Sequence, residues 1–236
     1  LRRYVGADAL IKGKKRWCFW LKKATPVDIT GSKILMKRVE AVRQMRLDSK
    51  GKTTNGYAKV PHLFAQITQP DFLAIPCTSS ERRKYVPIDF LDKSVVASNG
   101  IQIIPHATLY HFGVLTSNVH MAWMRLVGGR MKSDYRYSKE IVYNTFPWPH
   151  PTEGQLNKIK STAQAILDAR SLYPDCSLAD LYNEVTMPVE LRKAHQQNDR
   201  AVMEAYGFSV KDTTETSCVE TLMKMYQRLV HLDEGD

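Results

Sequence analysis

Several things are missing from this chain of 236 residues. No apolar run approaches the roughly 20 residues that cross a bilayer, and no stretch has the layout of a secretory leader, so no membrane association is expected. Cysteine is scarce. Cys18, Cys77, Cys176 and Cys218 stand far apart, and none lies at metal-ligand spacing to another or to a histidine. They read as reduced structural thiols of a cytoplasmic protein. A phosphate-binding loop needs several glycines between a strand and a helix. The paired Gly128-Gly129 follows helical text instead. There is no HExxH, no Asn-Pro-Pro-aromatic methylation motif, no internal repeat and no low-complexity tract. Asp71 and Asp175 each follow a proline, but no nuclease-like Glu-x-Lys follows either. His106, His111 and His120 lie close in sequence without a carboxylate or thiol at ligand spacing, so packing or hydrogen bonding is expected for His111 and His120. Catalytic and metal-ligating residues are therefore assigned to none.

Acidic residues are scarce in one part of the chain only. Residues 1–150 carry 25 Lys and Arg against 10 Asp and Glu, while residues 151–236 carry 9 against 14. The net charge of +10 thus comes wholly from the first part. A field of that sign attracts polyanions, nucleic acid above all, by releasing condensed counterions. The hydrophobic share of 43% is enough for a sizeable core. The text opens on Leu1 amid basic, strand-like residues and reads as a piece of a longer protein.

The chain divides at Pro147–Pro151 (PWPHP), where proline interrupts every regular element. Before it, strands are expected at 14–21, 72–75, 85–88 and 141–146. A hairpin is expected with arms 95–97 and 101–104 around Ser98-Asn99-Gly100. Helices are expected over 33–47 (capped by Ser32), 107–115 and 117–127 (capped by Ser117, closed by Gly128-Gly129), with a flexible loop at 48–56. Beyond the prolines the periodicity is helical: from Thr152 to about Leu172, a short helix from Ser177 through Tyr182, one from Pro188 to near Tyr206, and a last one over 214–232. The fold class is α+β: a basic mixed sheet-and-helix domain over 1–150, then a small, acidic, all-helical domain over 151–236.

The densest set of donors and acceptors is GGRMKSDYRYS, Gly128 to Ser138. Guanine presents two acceptors in the major groove and cytosine a donor, so a cation suits the first and a carboxylate the second. In an extended segment Lys132 and Asp134 share a face and can address the two halves of one G·C pair, with Ser133 able to donate or accept beside them. Arg130 and Arg136 can hold flanking phosphates, which fix register without reading sequence. Tyr135 and Tyr137 can pack on sugars or support the ribbon. A plain surface loop carrying a local Lys–Asp pair remains the competing reading at this point.

YHFGVLTSNVHMAW (110–123), GRMKSDYRYS (129–138) and VYNTFPWP (142–149) resemble the target-recognition region of MmeI-like restriction–modification enzymes. RRYVGADALIKGKKRWCFWL (2–21), SSERRKYVPIDFL (79–91) and the helical text of 166–202 fit the same family. The resemblance covers nearly the whole chain. It implies a DNA target-recognition domain and a C-terminal helical domain of an adenine-N6 DNA methyltransferase with restriction endonuclease activity, whose catalytic domains lie outside this chain. It further implies that Lys132 and Asp134 act as a pair reading one base pair, with guanine favoured on the read strand. Ser79, Ser80, Arg82 and Arg83 match a further polar block expected near DNA. The resemblance implies double-stranded DNA and the parent's methyltransferase domain as partners. It implies S-adenosylmethionine and Mg2+ as cofactors of the parent, with none expected in this chain. The alternatives are a self-contained nucleic-acid-modifying enzyme and a protein-interaction module with a basic face. His111, Trp123 and the run 146–149 are expected to be packing residues.

Overall fold

The computed structural model describes residues 1–65 and 70–233. Nine short strands form three separate three-stranded sheets among the described residues. In the first, β1 (Arg2–Val5) lies between β2 (Trp17–Cys18) and β6 (Val96–Ala97), antiparallel to one and parallel to the other. In the second, β3 (Phe72–Pro76) runs antiparallel to both β5 (Asp89–Leu91) and β7 (Ile101–Pro105). In the third, β9 (Asp134–Arg136) lies between β4 (Thr78–Ser79) and β8 (Gly129–Met131), again antiparallel.

The helices begin where the capping residues say they should. Ser32 accepts from the Leu35 N–H and opens α3 (Lys33–Leu47), and Ser117 accepts from the His120 N–H and opens α6 (Asn118–Val127). Thr152 and Gln155 form a reciprocal capping box at the start of α7 (Glu153–Ser171), and Ser177 with Asp180 does the same for α8 (Leu178–Leu181). Pro188 precedes α9 (Val189–Ala205), and α10 (Glu215–Asp233) closes the described chain. Shorter helices are α1 (Ala7–Lys12), α2 (Pro26–Thr30), α4 (Lys52–Gly56) and α5 (Leu109–Leu115).

Five local expectations are corrected. Of the strand expected over 14–21, only Trp17–Cys18 pairs. The loop expected at 48–56 contains α4. Residues 85–88 are buried without strand pairing, and the strand begins at Asp89; their apolar run reflects burial, which alone does not specify a ladder. Residues 141–146 are no strand: Lys139–Tyr143 forms a π-helical turn opened by Ser138, which accepts from the Ile141 N–H. The two arms of the expected hairpin do exist, and Ile101 N–H bonds to Ser98 O across the turn, but they do not pair with each other. One arm joins the first sheet and the other the second, so this turn stitches two sheets together.

One hydrophobic core runs from Leu73 to Leu222, through the proline run. On α7, Ile159, Ala163 and Ile166 are buried, while Leu156 and Leu167 are half-buried. Helix α5 lies so close to this face that a Cβ on Gly113 would meet Ile159 Cγ2 at 2.8 Å and Asn198 Oδ1 at 3.0 Å. Asn198 fixes the approach by donating to the Gly113 carbonyl at 2.8 Å. The prolines end secondary structure without separating the packing. Phe146 packs on His120, Trp123, Trp148 and Tyr206, and Tyr206 donates to the Pro147 carbonyl at 2.8 Å. A smaller cluster under the first two sheets contains Val5, Leu10, Phe72, Val95 and Ile101.

Candidate nucleic-acid interface

The third sheet joins two blocks that lie about fifty residues apart in sequence. Ser79 pairs with Tyr135 and Thr78 with Arg136, while Arg130 pairs with Tyr135 on the other side. The segment Ser80–Arg83 therefore leaves the sheet beside the ribbon that carries Arg130 to Arg136. Arg130 reaches toward Glu81 at 3.9 Å. Burial holds the Arg83 guanidinium below its ordinary value, and the nearby Asp134 carboxylate opposes that shift.

Lys132 and Ser133 form the turn between β8 and β9, with Met131 opposite Asp134. Lys132 has φ 58°. Tight hairpin turns need positive φ and usually fill that position with Gly, Asn or Asp; a lysine there costs on the order of 1 kcal/mol. The extended geometry expected for Lys132 and Asp134 is thus replaced by a turn. Lys132 is at the tip and Asp134 opens the returning strand. Arg130 steadies the tip by donating to the Ser133 carbonyl at 3.1 Å, and its guanidinium lies 4.0 Å from the Tyr135 ring centre.

Alternation along β9 sorts the remaining residues. Arg130, Lys132, Ser133 and Arg136 are exposed and Asp134 is half-buried. Tyr135 and Tyr137 point inward and are buried. The Tyr137 hydroxyl lies 2.9 Å from His120 Nε2, and burial pushes that imidazole down to about 3, so it is neutral at physiological pH. Ser79 is also buried, its Oγ without a hydrogen-bond partner, whereas Ser80 is half-buried and Arg82 exposed. Ser79 therefore supports the sheet from beneath, and the outward-facing polar groups of its block are those after it.

Helix α6 aims the ribbon. Its last turn runs directly into β8 through Gly128, where a Cβ would meet the Met124 carbonyl oxygen at 2.4 Å. The fully buried Trp123 packs on Phe146 and on Tyr226 of α10, and Arg125 forms a two-pronged bond to Glu215 at 2.6 and 2.9 Å. His111 is a capping residue: its Nδ1 accepts from the Thr108 N–H at 3.1 Å.

One group of residues was not singled out from sequence. Asp199 on α9 accepts from the Tyr85 hydroxyl at 2.6 Å and from the Asn118 N–H at 2.8 Å. It thus ties the chain just after Ser79–Lys84 to the first residue of α6. Burial raises its carboxyl to about 6, against the two hydrogen bonds and Lys84, which lower it. Beside it, buried Arg170 donates to the Ile88 carbonyl and to the Tyr182 hydroxyl, which lies 2.8 Å from His195 Nε2. His195 stacks on Tyr85 with ring centres 4.1 Å apart. The only sequence signal for this network is polar residues within the apolar period of α9.

No group of three or more His, Cys, Asp and Glu residues that could hold a metal ion occurs among the described residues. A groove of about 550 Å3 beside α3 has no carboxylate in its lining.

Fold and site together define a class: a basic module that presents charged side chains on a turn-tipped β-ribbon, aimed and braced from behind by helices. Residues 1–150 match the family model "MmeI, target recognition domain", and residues 152–232 match "MmeI, C-terminal domain". The chain belongs to the MmeI family and carries these two parts of it. It is 35% identical over 230 residues to DNA methyltransferase A of Bacillus subtilis (strain 168), covering 97% of this chain and 26% of that protein. It is also similar to the Type IIL restriction-modification enzyme MmeI, solved in complex with DNA. The identity there is 46% and the TM-score 0.93, over 98% of this chain and 31% of that one. The chain thus spans about a quarter to a third of the length of these relatives.

Proposed function

We propose that this chain is the part of a Type IIL restriction–modification protein that selects the DNA sequence on which the parent acts. Residues 1–150 form the reading unit and 151–236 its brace. The ribbon tip enters the major groove of double-stranded DNA. Lys132 donates to guanine, Asp134 accepts from its paired cytosine, and Ser133 lies beside them. Arg136, Arg130, Ser80, Arg82 and Arg83 hold or steer the flanking backbone, while Tyr135 and Ser79 support the sheet from below. A well-formed pair of base contacts is worth about 1–3 kcal/mol of discrimination. The observation that carries the reading is the convergence of the two polar blocks in one sheet, with a lysine held at a costly positive-φ position at its tip. A strained backbone position is one way a fold aims a functional side chain.

The parent would methylate adenine at N6 and cut DNA in its other domains, in the cytoplasm. S-adenosylmethionine and Mg2+ would be held there, and the methyltransferase domain of the same chain would supply the facing wall of the DNA channel. The test is to map methylated adenines in host DNA for the full-length parent and for a Lys132→Glu, Asp134→Arg double variant. One position of the motif should change from G to C with the rest unchanged. Persistent methylation at an unaltered motif would refute the assignment.

A further inference from the structure

The positive charge is not concentrated on the ribbon. Residues 1–65 carry 16 Lys and Arg against 4 Asp and Glu, a surplus larger than the +10 of the whole chain. All four acids in this lobe are already engaged. Asp8 contacts Lys12 and Lys14 at 2.7 Å each, and the two lysines hold its carboxyl down at about 2. Asp28 caps α2 through Thr25, Asp48 accepts from Gln44, and Glu40 lies 3.7 Å from Arg43. Lys22, Lys23, Lys33 and Lys37 are exposed, and none has a carboxylate partner among the described residues. A surface of this kind repels itself, and nothing in the core requires it, since α3 contributes no fully buried residue.

The lobe adjoins the root of the reading sheet. Asn99 lines the groove beside α3 together with Tyr4 and Arg38. Asn99 and Gly100 belong to the turn that bonds to Cys77: the Cys77 N–H donates to the Gly100 carbonyl at 2.9 Å. Cys77 in turn accepts from the Tyr137 N–H and leads directly into Thr78 of the third sheet.

We infer that the lobe of residues 1–65 is a second DNA surface, which binds phosphates of the same duplex irrespective of sequence while the ribbon reads bases. This rests on the proposed function and adds a division of labour to it. Three observations favour duplex DNA over an acidic protein surface. The cations are spread over successive elements, as suits a linear polyanion. They are interleaved with aromatic rings, Arg2 over Trp20 and Arg16 over Tyr4, each at 5.3 Å. The lobe is also continuous with the ribbon.

The experiment measures binding of the full-length parent against salt concentration, on one duplex containing the target site and one of equal length without it. The variants carry Lys22, Lys23, Lys33 and Lys37 all changed to Gln, or all to Arg. Each phosphate contact contributes about 0.9 to the slope of log K against log salt. The Gln variant should therefore flatten the slope by about 2 to 4, equally on both duplexes, with the methylated motif unchanged. The Arg variant should keep the wild-type slope. An unchanged slope in the Gln variant overturns the inference and leaves an acidic protein surface as the partner. An altered motif also overturns it, because the lobe would then be reading bases. If wild type itself shows no salt-dependent binding to either duplex, the proposed function falls along with it. If the Lys132 and Asp134 exchange leaves the motif unchanged while the slope still flattens in the Gln variant, the phosphate surface stands and the reading residues lie elsewhere.

Discussion

The lobe of residues 1–65 and the helices beyond Thr152 are built on opposite terms. In the lobe only Val5, Ala9, Leu10, Ile11 and Ala58 are buried. Its 15-residue helix α3 leaves Ile34 69% and Met45 56% exposed. The C-terminal helices bury Ile159, Ile166, Leu191, Val202 and Leu222 completely, and with them a charged network. The lobe keeps its shape through a few directed bonds. Arg46, for example, donates to the carbonyls of Tyr57, Val60 and Leu63 at 2.8–3.0 Å. Dense packing determines where the ribbon points, whereas the lobe leaves charge and apolar surface exposed.

Three measurements can break or sharpen this contrast. The largest effect belongs to Arg170→Ala, which removes the donor to Ile88 and Tyr182 and leaves buried acceptors unmet. It should cost about 3 kcal/mol in thermal or denaturant unfolding, and a loss below about 1 kcal/mol would show that the network adds little to the brace. Next is pH. The Asp199 carboxyl lies above its ordinary value in the folded state, so its contribution favours folding below the unfolded value near 4 and is lost as pH rises through about 6. Between pH 4 and 8 wild type should lose on the order of 2 kcal/mol relative to Asp199→Asn. Parallel stability curves for the two proteins would contradict this. The smallest effect is expected in the lobe: Ile34→Ala should change stability by less than about 0.5 kcal/mol. A large loss there would mean that α3 is part of the core after all.

What could be read in the sequence depended on the range of the interaction that sets each feature. Ser32, Ser117, Thr152 and Ser177 mark helix starts because a cap bonds to an N–H two or three residues on, and all four are caps in the structure. Strands have no such local signal. The arms around Ser98–Gly100 look like a hairpin, yet each finds a distant partner. Residues 141–146 have strand-like composition, yet Ser138 opens a π-helical turn that takes in the first three of them. The candidate site was legible as two separate blocks. Neither their meeting in one sheet nor the burial of Ser79 could be read, since both depend on a pairing between Thr78–Ser79 and Tyr135–Arg136.

The sequence alone determined the α+β class, the helices with their caps, the steep charge division and the ribbon of donors and acceptors, because composition, periodicity and capping act between near neighbours. Only the tertiary structure decided that Lys132 sits in a turn, that one core runs through the proline segment, and that Asp199 ties Tyr85 to Asn118. Those features depend on burial and on partners far away in the chain, and their energies exist only once the remote segments have come together.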